Sequence, residues 1–133
     1  MKTRSTLIAA VVLASVAFGA QSLGAQTPAM KRTILHKSDL SAPVREVVQA
    51  MVELPGGVRS GRHTHPGEEV GYVVEGALVL IVEGRSPATV KAGDTFMVEA
   101  GRVHETVNEG PAMAKILATY VVEKGKPLAT PAP

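Results

Sequence analysis

His63 and His65 stand two residues apart in the stretch GVRSGRHTHPGEEVGYVVEG, residues 57–76, with Glu68 and Glu69 close behind. In an extended chain, residues i and i+2 point the same way, so the two imidazoles project from one face about 7 Å apart at the backbone. That separation suits two ring nitrogens converging on one metal ion at roughly 2.0–2.2 Å each. Pro66 and Gly67 turn the chain and can bring Glu69 back over the same face, whereas alternation puts Glu68 on the opposite side. Two imidazoles and a carboxylate form the mixed N/O set that suits Fe(II), Mn(II), Ni(II), Co(II) or Zn(II). Two solvated histidines and a solvated glutamate pair would satisfy the same pattern. The metal reading therefore needs a fourth ligand and a scaffold.

The scaffold reads as short strands. In REVVQAMVEL, Arg45–Leu54, the residues Val48, Ala50, Val52 and Leu54 share one face, and period two means a strand. Residues 70–74 and Ala77–Val82 are apolar runs separated by Glu-Gly, which predicts a hairpin. Further strands are expected at Ala88–Lys91, Thr95–Val98, His104–Val107 and residues 113–122, each closed by a Gly-, Asn- or Pro-containing turn. Residues 38–42 suit a single helical turn. No sustained 3.6-residue stripe follows residue 25. Eight or more short strands with Gly-rich turns point to an all-β closed barrel or jelly roll.

The chain begins differently. Met1-Lys2-Thr3-Arg4 is a basic head, residues 7–18 are an apolar run, and small residues follow in GAQSLGAQ. That is the layout of a cleavable signal peptide, 1–25, with cleavage near Ala25 or at Ala20. Roughly 20 apolar residues are needed to span a bilayer, so the run is short for an anchor. With no cysteine there is no lipid attachment. Losing Lys2 and Arg4 takes 14 basic residues to 12, against 12 acidic ones, so the exported chain is formally neutral. It offers no basic footprint for nucleic acid. The organisation expected is 1–25 signal peptide, 26–37 flexible N-terminal segment, 38–124 β-barrel domain and 125–133 disordered C-terminal tail. A domain this small, without disulfides and with Tyr72, Phe96 and Tyr120 as its aromatic residues, gains from pairing as a homodimer.

The spacing of the whole segment carries a resemblance. Five residues separate Gly57 from His63, one separates His63 from His65, three separate His65 from Glu69, and six separate Glu69 from Gly76. After a 16-residue spacer come Gly93, Gly101, His104 and Asn108. The two blocks resemble the two signatures of the cupin superfamily, with one departure: Glu99 stands where the second has proline. The resemblance implies a single-domain, jelly-roll β-barrel with a divalent metal held by His63, His65, Glu69 and His104. His104 would sit on another strand and close the site from the opposite wall. An octahedral ion would keep two positions for other ligands.

The glycines of both blocks read as structural corners, and Asn108 as a brace for its turn. Glu99 and His36 read as solvated, and Met51, Phe96 and Met97 as packing residues rather than cavity lining. Resemblance to the dioxygenase branch of the cupins implies an exported, metal-dependent oxidoreductase acting on a small oxygen-containing substrate, with Glu69 as a base near the metal. The alternative is a non-catalytic periplasmic module holding metal or a small ligand; isomerase or decarboxylase roles rank behind both. Few aromatic walls favour a small or aliphatic substrate. The partners expected are a small molecule and a second copy, with no nucleic acid and no membrane after cleavage; the compartment expected is periplasmic or secreted.

Overall fold

The computed structural model describes residues 27–133, so the expected signal peptide lies outside the described residues. Ten strands follow in order: β1 Lys31–Asp39, β2 Arg45–Leu54, β3 His63–Thr64, β4 Gly67–Glu75, β5 Ala77–Val82, β6 Ala88–Lys91, β7 Thr95–Val98, β8 His104–Val107, β9 Ala114–Glu123 and β10 Thr130–Pro131. They form two five-stranded antiparallel sheets, ordered β1-β2-β9-β4-β7 and β10-β3-β8-β5-β6. Among the described residues no helix forms; of residues 38–42, where a helical turn was expected, Ser38 and Asp39 end a strand and the chain then turns over residues 41–44.

The core lies between the sheets, where period two puts it. Alternate residues of β2 and β9 are buried along their full length. The two strands pair without interruption from Arg45↔Glu123 to Leu54↔Ala114, which stacks Val52 on Ile116 and Val48 on Tyr120. Leu78, Leu80 and Val82 of β5 meet them from the other sheet. Each such aliphatic side chain contributes roughly 1.5–3 kcal/mol when fully buried. Phe96 packs at the edge of this core, while Met97, expected to pack, is exposed.

Three expectations are corrected. β4 and β5 do not pair as a hairpin: β4 lies between β9 and β7, and β5 lies between β8 and β6. The chain changes sheet at Gly76, whose φ of 76° puts it in the left-handed region and whose missing Cβ would sit 2.8 Å from the Met113 carbonyl oxygen. Next, residues 31–37, expected in the N-terminal segment outside the barrel, are part of a strand. They form most of β1, which pairs along β2 with an irregularity between Ile34 and His36. The backbone ladder holds β1 although nearly all its side chains, His36 included, are exposed. Finally, the tail residues 125–133 contribute to the fold: Thr130 and Pro131 pair with Thr64 and His63, and Leu128 packs against the core. A proline is tolerated there because β10 is an edge strand.

Candidate metal centre

The fold gathers the four residues that the resemblance implies as ligands. His63 is on β3, His65 follows it, Glu69 is on β4, and His104 is on β8. Their ligand atoms all lie within 4.8 Å of one another. His63 and His104 are cross-strand partners in one sheet. The opposite wall is therefore supplied by Glu69, from the other sheet, and not by His104 as expected. Glu68 is on the outward phase of β4 and Glu69 on the buried one. Glu99 is outside the site, exposed and ion-paired with Arg85. Asn108 is buried and its amide bonds the carbonyls of Leu54 and Ala112.

The hydrogen bonds fix which ring nitrogens face inward. His63 Nδ1 donates to the Gly61 carbonyl at 2.8 Å, His65 Nδ1 to the Leu128 carbonyl at 2.5 Å, and His104 Nδ1 to the Arg102 carbonyl at 3.0 Å. A carbonyl only accepts, so each Nδ1 carries the proton and each neutral ring presents a bare Nε2 lone pair. Glu69 Oε2 lies 3.0 Å from Nε2 of both His65 and His104. Despite that short separation, His65 Nε2 is buried with no properly aligned hydrogen-bond partner. A lone pair facing a carboxylate at this distance repels it unless a proton, as between His104 and Glu69, or a metal cation stands between them. The donor set fits a divalent transition metal on that ground.

Charge behaviour agrees. Burial pushes the His63 pKa down to about 4, against the pull of the Gly61 carbonyl, so this ring is neutral near pH 7. Burial alone would raise the Glu69 carboxyl, but the His104 and His65 imidazoles outweigh it and hold it at about 2. Burial likewise opposes charge on His104, yet its contact with Glu69 raises its pKa. In the metal-free site, a proton between His104 and Glu69 is the simplest substitute for the cation.

Two neighbours were not anticipated. Tyr120 is the cross-strand partner of Glu69, and its ring centroid is 4.7 Å from that of His65. Its position on the buried phase of the final long strand was a usable signal. Burial first, then Glu69, raises its pKa, so it remains a neutral phenol. Arg32 of β1 lies with its guanidinium carbon 5.8 Å from the Tyr120 ring centre, and nothing in the sequence marked it. Beside Glu69 and His104 is a cavity of about 10 Å³, sized for one water. Next to it is an open cleft of about 250 Å³, bounded by Arg32, His63, Ser60 and the tail residues Ala129 and Pro131.

The chain is similar to proteins with varied roles. It is 32% identical over 66 residues to the HTH-type transcriptional regulator PuuR of Escherichia coli (strain K12), a match covering 50% of this chain and 35% of the regulator. Among solved structures, a recombinant oxalate oxidase in complex with glycolate superposes with a TM-score of 0.58 at 25% identity, over 64% of this chain and 45% of that one. A Klebsiella pneumoniae protein with a double-stranded β-helix domain superposes with a TM-score of 0.63 at 20% identity, over 76% and 84% of the two chains. The chain thus spans about a third of the curated regulator's length and under half of the oxidase's. Residues 50–120, more than half of the sequence and nearly all of the site, match the cupin domain family, and the chain belongs to it.

Proposed function

We propose that this chain is an exported cupin metalloprotein, in which His63, His65, Glu69 and His104 hold one divalent transition metal. Its proposed activity is that of a metal-dependent, dioxygenase-like oxidoreductase acting on a small oxygen-containing substrate. The observation that carries the metal reading is the set of three Nδ1–H groups tied to backbone carbonyls, which aims three bare Nε2 atoms and a carboxylate at one point. A bound redox-active ion would supply Lewis acidity and electron transfer at that point. The chain's own residues do the rest. The carbonyls of Gly61, Leu128 and Arg102 hold the rings in orientation, and Val52, Ile116 and Tyr120 shield the site from water. In this reading Glu69 is a ligand and also the base near the metal.

A non-catalytic binding module is the second reading, and the similarity to a transcriptional regulator favours it. Export to the periplasm or beyond rests on the leader's layout alone. A homodimer is part of the proposal, supported by the apolar outer face of β4 and β7, where Val70 and its cross-strand partner Met97 are 46% and 51% exposed.

Elemental analysis of protein isolated from its own compartment tests the metal, and about one ion per chain is expected. Protein that remains metal-free after reconstitution with Fe, Mn, Ni, Co and Zn would end the metal reading. Oxygen uptake by the Fe and Mn forms across a panel of small oxygenated compounds separates the two functions: turnover supports the oxidoreductase, and its absence in every form supports the binding module. Sedimentation velocity tests the dimer.

A further inference from the structure

We propose that the cleft beside the metal centre is a binding site for a small carboxylate-bearing molecule, anchored by the guanidinium of Arg32. The inference rests on the metal reading for its setting, but its evidence and its test are separate.

Arg32 pairs with Val52, which is buried in the core. On this inward position an apolar side chain would be the ordinary choice, and an arginine needs a reason. The other eight residues of β1 are exposed, so Arg32 is the one side chain that this strand turns toward the barrel. Its Nε is buried with no hydrogen-bond partner among the described residues. Arg59, Arg62 and Arg85 each pair with a glutamate, Glu105, Glu83 and Glu99 in turn. Among the described residues no carboxylate forms an ion pair with Arg32. A buried N–H without an acceptor is costly to keep, and an acceptor arriving from the cleft removes that cost.

The position is suited to a ligand. Arg32 borders both the small cavity at Glu69 and His104 and the larger cleft that opens beside His63. A molecule held there reaches the metal centre at one end. Nε and an Nη form a planar fork that matches a carboxylate in two parallel hydrogen bonds. The balance of charge has the same sign: three neutral imidazoles, Glu69 and a divalent ion sum to +1, and Arg32 adds another. Met30, Ala129 and Pro131 give the cleft an apolar side, which suits a short hydrocarbon portion. About 250 Å³ suits a molecule smaller than a drug-sized ligand.

Glycolate and its neutral counterpart glycolamide are the probes, titrated into the full chain, metal-free and Zn-loaded, and followed by NMR of ¹⁵N-labelled protein. Glycolate should move the Arg32 Nε–H signal and bind at least about tenfold more tightly than glycolamide. Arg32→Met should weaken glycolate by a similar factor, Arg32→Lys by less, and Arg85→Gln not at all. Zn(II) affinity should be unchanged by Arg32→Met. Equal binding of the two probes by the wild-type chain, or no glycolate binding in either form, overturns the inference without recourse to a variant. So does glycolate binding that needs Zn(II) but is indifferent to Arg32→Met. A chain that takes up no Zn(II), yet whose Arg32 signal still responds to glycolate, overturns the metal reading and leaves this one standing.

Discussion

His63 and His104 face each other directly across the β3–β8 ladder, with ring centroids 4.4 Å apart. Backbone pairing thus places two of the four candidate donors side by side. His65 and Glu69 complete the set from the chain that runs on into β4 and the second sheet. His104→Ala should lower metal affinity by about tenfold or more while the far-UV circular dichroism of the metal-free protein stays as it is. Unchanged affinity in a chelator competition would remove His104 from the ligand set.

The tail is a second support for the same site. The Leu128 carbonyl accepts the proton of His65 Nδ1, and β10 pairs with β3 on the other side of His63. Deleting residues 127–133 removes both, so the His65 ring loses its orientation and β3 loses one neighbour. Supporting groups of this kind are worth roughly 10–100-fold in metal affinity. The truncated chain should keep its fold, since Leu128 is the main tail residue packed on the core, and should bind Zn(II) more weakly by that factor. Wild-type affinity in the truncated chain would mean that the carbonyl is dispensable.

What the sequence conveyed and what it withheld follow from one distinction. Period two reports which side of a strand is buried, and the alternation in Arg45–Leu54 gave β2 in full. It does not report which strand lies alongside, so residues 70–82 looked like a hairpin although Gly76 carries the chain from one sheet to the other. The four candidate ligands were legible through the resemblance of the two blocks to the cupin signatures, with His63, His65 and Glu69 also marked by their own spacing. β1 and β10 were missed because they are held chiefly by backbone pairing, and their exposed side chains leave no periodic trace. Arg32 was invisible for the same reason: on a strand without an apolar stripe, no phase marks the inward residue.

Asn108 tests the non-metal end of the scaffold. Its amide nitrogen donates to Leu54 and Ala112, and its Oδ1 accepts from the Gly110 N–H at 3.1 Å. Three backbone groups depend on one buried side chain, and each left unsatisfied costs about 1–3 kcal/mol. Asn108→Ala should destabilise the protein by roughly 2–4 kcal/mol in urea unfolding, with metal affinity retained once folded. A loss under about 0.5 kcal/mol, the range of ordinary surface changes, would show that water replaces the amide without penalty.

A packing prediction concerns Gly71. The Phe96 ring lies directly over it, and a Cβ at that position would collide with the ring. Gly71 and Phe96 are cross-strand partners on β4 and β7, so the ring covers the space a side chain would take. Gly71→Val should cost about 1–3 kcal/mol through overpacking, and pairing it with Phe96→Ala should return part of that loss. Strict additivity of the two substitutions would contradict the contact.

The metal-free protein should weaken as the solution is acidified, and the sign can be derived group by group. Glu69 is held at about 2 against an ordinary 4.5, so its contribution is present above 4.5 and lost as pH falls through about 2. His63 is held at about 4 against an ordinary 6.5; the unfolded chain takes up this proton first, and stability declines as pH falls from 6.5 through about 4. His104 acts in the opposite sense, because its pKa is raised: its contribution is present below 6.5 and lost as pH rises through the folded value. Two groups thus oppose acid and one opposes base, which places the stability maximum of the metal-free chain near neutral pH. Urea unfolding followed by circular dichroism, in the presence of chelator, measures this from pH 8 to 3. Glu69→Gln should flatten both limbs, since it removes the carboxylate and with it the reason for the raised His104. A wild-type profile that is level from pH 7 to 3, or a Glu69→Gln profile identical to wild type, would show that these groups are not coupled in solution.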